Sequence, residues 1–203
     1  MILKARDRCP FVAIPVMLSK IFRHDCIYVR PEAGISQPAD LRGERVGLPQ
    51  YSSTAGVFIK GLVQHEYGVG PTEISWFMGG QDTPAPAPLV PLDLPADINL
   101  EFIPEGETLE GMLTAGELDA LFATDIPNLF LNGSPKIARL FPNFKEVEQD
   151  YYRRTGIFPT CTQWPSARTY TGNTPGWRRV CSTPSQKPRN WQLTVSRTPT
   201  HWP

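Results

Sequence analysis

Residues 42–55 read RGERVGLPQYSSTA, and the rest of the chain is organised around this stretch. Residues 46–49 predict a short buried strand, and the polar residues after them predict a turn that leads into a helix. The first N–H groups of a helix have no partner within it, and this end carries a partial positive charge. Such a terminus suits a carboxylate or phosphate. We therefore expect this turn to hold one end of a small anionic ligand.

The helix after the turn is predicted over residues 53–67. Its apolar side chains recur at steps of three and four residues, the period of a helix with one buried face. They are Val57, Phe58, Leu62, Val63 and Tyr67. Gly68 and Pro71 are typical of a helix end, so the helix stops there.

Strands and helices alternate from residue 42 to residue 123. Further strands are predicted at 74–77, 98–103 and 118–123, with a proline-rich loop at 83–95 and a helix at 109–115 that Thr108 caps. This order predicts an α/β fold with a largely parallel sheet. Ligands of such sheets bind at the carboxyl ends of the strands, where the turns at 49–54 and 123–125 lie.

The flanking regions carry weaker signals. We predict strands at 10–17 and 26–30, a helical turn at 36–41, a loop at 128–135, a helix at 144–153 and a strand-like segment at 157–159.

Composition excludes several classes of protein. The 203 residues are 40% hydrophobic, which indicates a globular protein, and no run of 18 apolar residues predicts a membrane span. No signal-peptide pattern is visible near Met1. The four cysteines form no CxxC pair, so reduced thiols are favoured over a disulfide or a metal site.

The charge is divided unevenly along the chain. Residues 1–160 hold all 20 acidic residues and 14 of the 20 basic ones, a net charge of −6, whereas residues 161–203 have a net charge of +6. This last segment also holds four of the five tryptophans and few aliphatic residues, which predicts an irregular tail. A basic tail that binds nucleic acid is one interpretation, but its tryptophan content is unusual for such tails, and we expect no nucleic-acid partner.

Several pieces of the sequence together resemble one protein family. They are PFVAIPVM at 10–17, MLSKIFRH at 17–24, DLRGERVGLP at 40–49, EYGV at 66–69, IPEG at 103–106, GELDA at 116–120 and YYRRTGIFP at 151–159. In these pieces the chain resembles the 4,5-dihydroxyphthalate decarboxylases, over about residues 8–160. The pieces at 22–24 and 151–159 are the most specific to that branch.

The resemblance implies a fold of the type II periplasmic-binding-protein kind, related to the substrate-binding proteins of ABC transporters. We expect residues 1–41 to be the remnant of a first lobe, 42–122 a nearly complete second α/β lobe, and 123–160 a segment returning to the first lobe. The implied activity is decarboxylation of 4,5-dihydroxyphthalate or a similar aromatic acid to a dihydroxybenzoate. The alternative is a non-catalytic substrate-binding protein of an ABC importer for a small anionic solute.

The sequence departs from the family pattern at both ends. Much of the first lobe would precede residue 10, and after residue 160 the family continues with an apolar strand and an amphipathic helix instead of this tail. We therefore expect a truncated chain that is out of frame from about residue 160, with weak activity or none and a tendency to form homo-oligomers. The family also usually has Gln or Met where Ser52 and Ser53 stand.

Arg23 and His24 are the candidate catalytic residues. An arginine grips a carboxylate with two N–H groups, and a histidine titrates near neutrality and can deliver the proton that decarboxylation needs. The structural alternative is a surface arginine beside a capping histidine. His65, in the centre of a helix, is expected to be a solvated surface residue.

The candidate substrate-binding residues lie in three places. They are Tyr51, Ser52, Ser53 and Thr54 in the turn, Asp125 at a strand end, and Arg153 with Arg154 at a helix end. Each has a structural alternative: an N-cap for the serines, a turn role for Asp125, and an interaction with the helix dipole for the arginines. Asp119 is expected to anchor the turn after Gly116 instead of contacting substrate.

The expected ligand is a small aromatic or other anionic molecule, with no cofactor and no metal. Protonation of an electron-rich ring followed by loss of CO2 needs no organic cofactor in principle, and no Cys/His cluster indicates a metal site. We expect a cytoplasmic protein, with a periplasmic location as the alternative.

Overall fold

A computed structural model describes residues 11–85 and 94–167 of the chain. Its strands are β1 Phe11–Lys20, β2 Ile27–Val29, β3 Arg45–Leu48, β4 Ser75–Met78, β5 Leu100–Phe102, β6 Ala120–Phe122, β7 Ala138–Arg139 and β8 Thr160–Ala167. Its helices are α1 Thr54–Tyr67, α2 Leu109–Ala115, α3 Asn128–Leu131 and α4 Phe144–Thr155. The α/β class predicted from the sequence is confirmed.

Six strands form one mixed sheet in the order β5-β4-β3-β6-β2-β7. The four strands from β5 to β6 are mutually parallel, and β2 runs antiparallel to both β6 and β7. β3 is central, and its Val46, Gly47 and Leu48 are all buried, as expected for a strand covered on both faces. A Cβ on Gly47 would lie 2.8 Å from a methyl of Leu118 and 3.0 Å from one of Leu109, so a larger residue would have to displace these methyl groups.

Helices cover both faces of the sheet. One core cluster joins buried residues of α1 to Trp76 and Phe122, and α4 packs against it through Phe144 and Val147. The other lies under α2 and α3, around Tyr28 and Leu121. The result is a three-layer lobe in which α1 covers the central strands.

α1 begins and ends where the sequence predicts, within one residue. Its N-cap is Ser53, and Gly68 ends it in the left-handed conformation at φ 71°. Its buried face differs from the prediction, because Ala55, Gly56, Ile59, Leu62 and Val63 are buried. Val57 is 56% exposed, since the buried stripe centres on Ile59 and Val63.

Sheet membership extends beyond the lobe boundaries expected at 42–122. β2 comes from the segment assigned to a first lobe and β7 from the segment assigned to a return path, yet both pair into the same sheet. Strand neighbours depend on contacts between distant residues, which sequence order does not reveal. Apart from this sheet, β1 and β8 form an antiparallel pair that brings Phe11 opposite Ala167 and Lys20 opposite Thr160.

Three further predictions differ from the structure. Residues 157–159 are not a strand, the loop expected at 128–135 contains α3, and residues 161–167 of the expected irregular tail belong to β8. β8 forms because β1 supplies backbone partners, whatever the composition of the segment. The rest of the tail, and residues 86–93 of the proline-rich loop, lie outside the described residues.

Asp119 ties three strands together at the start of β6. Its carboxylate accepts hydrogen bonds from Arg30 at 2.8 Å and from Arg45 at 2.8 Å. Arg45 also donates to the Gly116 carbonyl, so the anchoring role expected for Asp119 is confirmed. Within the described residues, no helix is long and apolar enough to cross a membrane.

Candidate active site

Arg23 and His24 lie in the short connection between β1 and β2, where His24–Cys26 forms a single 3-10 turn. Both side chains are buried, and only 1% of His24 is exposed. This burial contradicts the alternative of a surface arginine beside a capping histidine. The thiol of Cys26 lies 3.7 Å from Arg23 Nη1, and burial raises the pKa of this free thiol to about 12, so it is not a nucleophile.

A small cavity opens beside these two residues. The empty space at its mouth is about 220 Å³ when open solvent is included, and the part enclosed by protein is about the size of one water molecule. Its walls come from three parts of the chain. They are Phe22, Arg23 and His24 from the connection after β1, Phe58 and Leu62 from α1, and Tyr151 and Pro159 at the two ends of the sequence piece 151–159. The cavity is therefore mostly aromatic and apolar, with one guanidinium and one imidazole.

The two sequence pieces that most specifically indicate the decarboxylase branch meet at this cavity. Phe22 stacks on Phe158 at a centroid distance of 4.6 Å and lies edge-on to Tyr151 at 6.5 Å. The backbone N–H of Ile21 donates to the Pro159 carbonyl at 3.1 Å. Residues 22–24 and 151–159 thus form one packed unit, although more than half the chain separates them.

The imidazole of His24 packs between aromatic rings and lies close to a carboxyl group. Phe141 and Tyr151 pack edge-on against it, each at a centroid distance of 5.4 Å. Its Nδ1 faces Glu148 Oε1 at 3.9 Å, and neither atom has a hydrogen-bond partner. Burial lowers the pKa of His24 to about 4, against the opposing effect of nearby carboxylates, so the ring is neutral at pH 7.

Glu148 is an ionisable residue beside the cavity that sequence reasoning missed. Its side chain is 13% exposed, and burial, with Asp25 nearby, raises the pKa of its carboxyl group to about 7. Its position on α4 could have identified it from the sequence, because it lies among apolar residues at helical spacing. The half-buried residues of this helix are Phe144, Val147, Glu148, Tyr151 and Thr155. A glutamate on the buried face of an amphipathic helix is uncommon and marks a candidate functional group.

The turn between β3 and α1 lies at the carboxyl edge of the parallel strands, as predicted. Ser53 Oγ accepts the Gly56 N–H at 3.0 Å, so the capping alternative holds for this serine. Ser52 is half-buried and Thr54 is exposed. Tyr51 is buried edge-on against Trp76, with a centroid distance of 5.6 Å.

Lys60, on α1, contacts this turn through Tyr51. Its Nζ donates to the Tyr51 carbonyl at 2.8 Å and lies 2.9 Å from the centre of the Tyr51 ring. Burial lowers the pKa of this ammonium group to about 8. The sequence pattern had not singled out this lysine.

Asp125 is exposed at the end of β6, at the same edge of the sheet. Its backbone carbonyl accepts Gln81 Nε2 at 3.2 Å, which joins the loops after β4 and β6. Because β3 lies between β4 and β6, the turn at 51–54 is flanked by these two loops.

α1 connects this turn to the cavity. Phe58 lines the cavity and is four residues after Thr54, which corresponds to about 6 Å along a helix axis. Helical side chains lean toward the N-terminus, so Phe58 points back toward the turn. The cavity walls include no residue of the turn at 51–54, and Asp125 does not line the cavity either.

Arg153 and Arg154 lie on the exposed side of α4 and do not line the cavity. Arg154 pairs with Glu66 and Asp150, at 2.8 Å each, and Arg153 donates to Gln149 at 3.3 Å. Their position in the last turn agrees with the dipole alternative. His65 is exposed, as expected. The part of the chain that the structure describes contains no cluster of metal-ligating side chains.

Comparisons with known proteins support the family resemblance seen in the sequence. No family model matches the chain. It is 36% identical over 173 residues to a 4,5-dihydroxyphthalate decarboxylase of Pseudomonas putida, covering 85% of this chain and 67% of that protein. It is 37% identical over 155 residues to the protein of the same name from Comamonas testosteroni, covering 76% of this chain and 47% of that protein.

Among solved structures, the chain is similar to two periplasmic binding proteins. One is the alkanesulfonate-binding protein SsuA from Xanthomonas axonopodis pv. citri bound to MOPS, with 16% identity and a TM-score of 0.41. The other is the aliphatic sulphonate binding protein SsuA from Escherichia coli, with 15% identity and a TM-score of 0.43. Each match covers 84% of this chain and 44% of the other. On the sequence relationship, the chain belongs to the 4,5-dihydroxyphthalate decarboxylase family.

Proposed function

We propose that this chain decarboxylates 4,5-dihydroxyphthalate, or a similar aromatic carboxylic acid, to a dihydroxybenzoate. The chain spans 67% and 47% of the lengths of the two curated relatives, so their activity is a proposal for it. The observation that carries the proposal is the meeting of residues 22–24 with residues 151–159 around a cavity that holds a buried histidine.

The proposal divides the roles among the candidate residues named from the sequence. Arg23 binds one carboxylate, and the N-terminus of α1, with Ser52 and Thr54, binds the other. Phe22, Phe58 and Tyr151 pack against the aromatic ring. His24 delivers the proton to the ring carbon that carries the leaving carboxylate. CO2 then leaves, and the electrons of the broken C–C bond restore the aromatic ring.

The proposal is tested with substrate labelled with carbon-13 in its carboxyl groups. We expect labelled CO2 and a dihydroxybenzoate from the purified chain, and a loss of about 100-fold or more in kcat for His24→Gln, since general acid catalysis contributes on this scale. His65→Gln is the matched control and should keep its activity, because His65 is exposed on α1.

Other outcomes of this experiment contradict the proposal. Binding of the dihydroxyphthalate without turnover by the wild-type chain would favour the non-catalytic binding protein. If the wild-type chain neither binds nor turns over the dihydroxyphthalate, this compound is excluded as the substrate. Full activity of His24→Gln would exclude His24 as the proton donor.

A homo-oligomer is also proposed. Apolar side chains are exposed together near the cavity, among them Ile21, Tyr152, Ile157 and Phe158, and such patches favour association. Light scattering of the purified chain tests this, and a monomer at all concentrations would contradict it. A cytoplasmic location is proposed as well, with a periplasmic location as the alternative; cell fractionation decides between them.

A further inference from the structure

We propose that Glu148 and His24 act as one proton relay, in which Glu148 holds the proton and His24 passes it to the bound aromatic acid. The inference rests on the proposed function for its last step, delivery to substrate. It assigns to Glu148 a role that acts through His24 instead of through direct contact with the ligand.

The geometry of the pair is the first support. His24 Nδ1 and Glu148 Oε1 are 3.9 Å apart, about 1 Å beyond hydrogen-bonding distance, and neither has another hydrogen-bond partner. Buried polar atoms in native proteins are rarely left in this state. A small rotation of the Glu148 side chain closes the contact and satisfies both atoms.

The orientation of the imidazole is the second support. Phe141 and Tyr151 pack against the ring and restrict its rotation, so Nδ1 stays directed at Glu148. The two nitrogens lie on different sides of the ring, and His24 also lines the cavity. Contact through Nδ1 with Glu148 therefore leaves Nε2 for the ligand.

Burial, and not the surrounding charges, determines the ionisation of the pair, and it keeps both groups neutral below pH about 7. The groups that face the pair are Arg23 and Asp25 from the turn, Glu66 from α1, Arg139 from β7, and Arg154 from α4. Burial outweighs them: it lowers the pKa of His24 to about 4 and raises that of Glu148 to about 7. In a buried ion pair both charges lose their hydration, which is unfavourable. A protonated carboxyl group beside a neutral imidazole carries no charge and avoids both penalties.

The proton transfer balances without any other reactant. The Nε2–H bond breaks as the proton moves to the ring carbon, while the Glu148 O–H bond breaks and its proton moves to Nδ1. His24 stays neutral and changes tautomer, and Glu148 becomes a carboxylate. The backbone N–H groups of His24 and Asp25 favour the ionised form of the Glu148 carboxyl group and so stabilise that charge. Loss of CO2 follows. A proton from solvent then adds to Nε2 while the Nδ1 proton returns to Glu148, which restores both groups.

Nitrogen-15 NMR of the full chain tests the pair without substrate. With Glu148 protonated, Nδ1 accepts and the proton is on Nε2; above pH about 7 the carboxylate accepts from Nδ1–H, so the tautomer should switch. The ring should stay neutral down to pH about 4. In Glu148→Gln the amide still donates to Nδ1 but cannot ionise, so the switch should disappear. Signals lost in His24→Gln assign the ring.

The kinetic arm uses the pH profile of turnover. We expect the wild-type kcat to fall above pH about 7 as Glu148 ionises. Glu148→Gln should lose about tenfold or more in kcat with little change in KM, and its profile should lack that limb. The control is Glu146→Gln, an exposed glutamate on the same helix, which should behave as wild type.

The two arms separate the two proposals. A tautomer switch that persists in Glu148→Gln, or a His24 ring that becomes charged near pH 6.5, overturns the relay even if turnover is observed. A switch that depends on Glu148, in a chain that binds but never decarboxylates the acid, supports the pair and overturns the proposed function.

Discussion

The side chains of His24 and Glu148 are both largely buried, so ionising either of them costs desolvation free energy. Their positions have opposite effects on how stability depends on pH. The pKa of His24 is lower in the folded chain than in the unfolded chain, so stability falls as the pH drops from about 6.5 toward 4. The pKa of Glu148 is raised, so stability falls as the pH rises from about 4.5 to 7.

Glu148→Gln should remove only the second dependence. Relative to wild type, the free energy of unfolding of this variant should rise by on the order of 3 kcal/mol between pH 4 and pH 8, because one pKa unit corresponds to about 1.4 kcal/mol. Urea unfolding at a series of pH values measures the difference. A difference that stays constant with pH would show that the Glu148 carboxyl group is not perturbed by burial.

At the scale of elements, α1 runs from the turn at 51–54 toward the cavity, and two contacts define the position of its N-terminus. Ser53 supplies the first by accepting the Gly56 N–H, and Lys60 holds the Tyr51 carbonyl from the other side. Thr108 caps α2 in the same way, by accepting the Gly111 N–H. The sequence predicted the Thr108 cap and left the cap of α1 to Ser52 or Ser53, because a cap and its helix are neighbours along the chain.

Ser53→Ala should lower the free energy of unfolding by about 1 kcal/mol, the usual cost of removing an N-cap side chain. Ser52→Ala is the matched control, since Ser53 and not Ser52 is the cap; its effect should stay within about 0.5 kcal/mol. Denaturant unfolding monitored by circular dichroism compares the two. Equal losses would show that the cap does not define the start of α1.

At the scale of the whole molecule, Asp119 joins β6 to the segments beside β2 and β3. Burial alone would raise its pKa, but hydrogen bonds from Arg45 and Arg30 outweigh this and lower the pKa to about 2. The stabilisation from these bonds is therefore present above pH about 3.8 and is lost as the pH falls through about 2.

Asp119→Asn should destabilise the lobe by about 2 kcal/mol at pH 7, because both arginines lose a charged acceptor while Arg45 remains partly solvated. The comparison is Asp150→Asn, which breaks an exposed pair with Arg154 on α4 and should cost less than about 0.5 kcal/mol. Thermal unfolding of both variants checks the contrast. Similar small losses would show that Asp119 does not hold the strands together.

The sequence by itself determined the α/β class, the family, and the limits of α1 and α2. These follow from signals that act over a few residues: helical periodicity, a capping hydroxyl at Ser53, and Gly68 in the left-handed conformation. It also singled out Arg23 and His24, through a short run that the family shares.

Only the tertiary structure decided which strands share a sheet and which polar groups are buried together. β2 and β7 join the sheet from outside the predicted lobe, and Glu148 reaches His24 from the far end of the described chain. The tertiary structure also shows that Arg154 pairs with Glu66 and does not line the cavity. The physical reason is that burial and strand pairing are set by contacts between residues distant in sequence, whereas caps and helical periods are set locally.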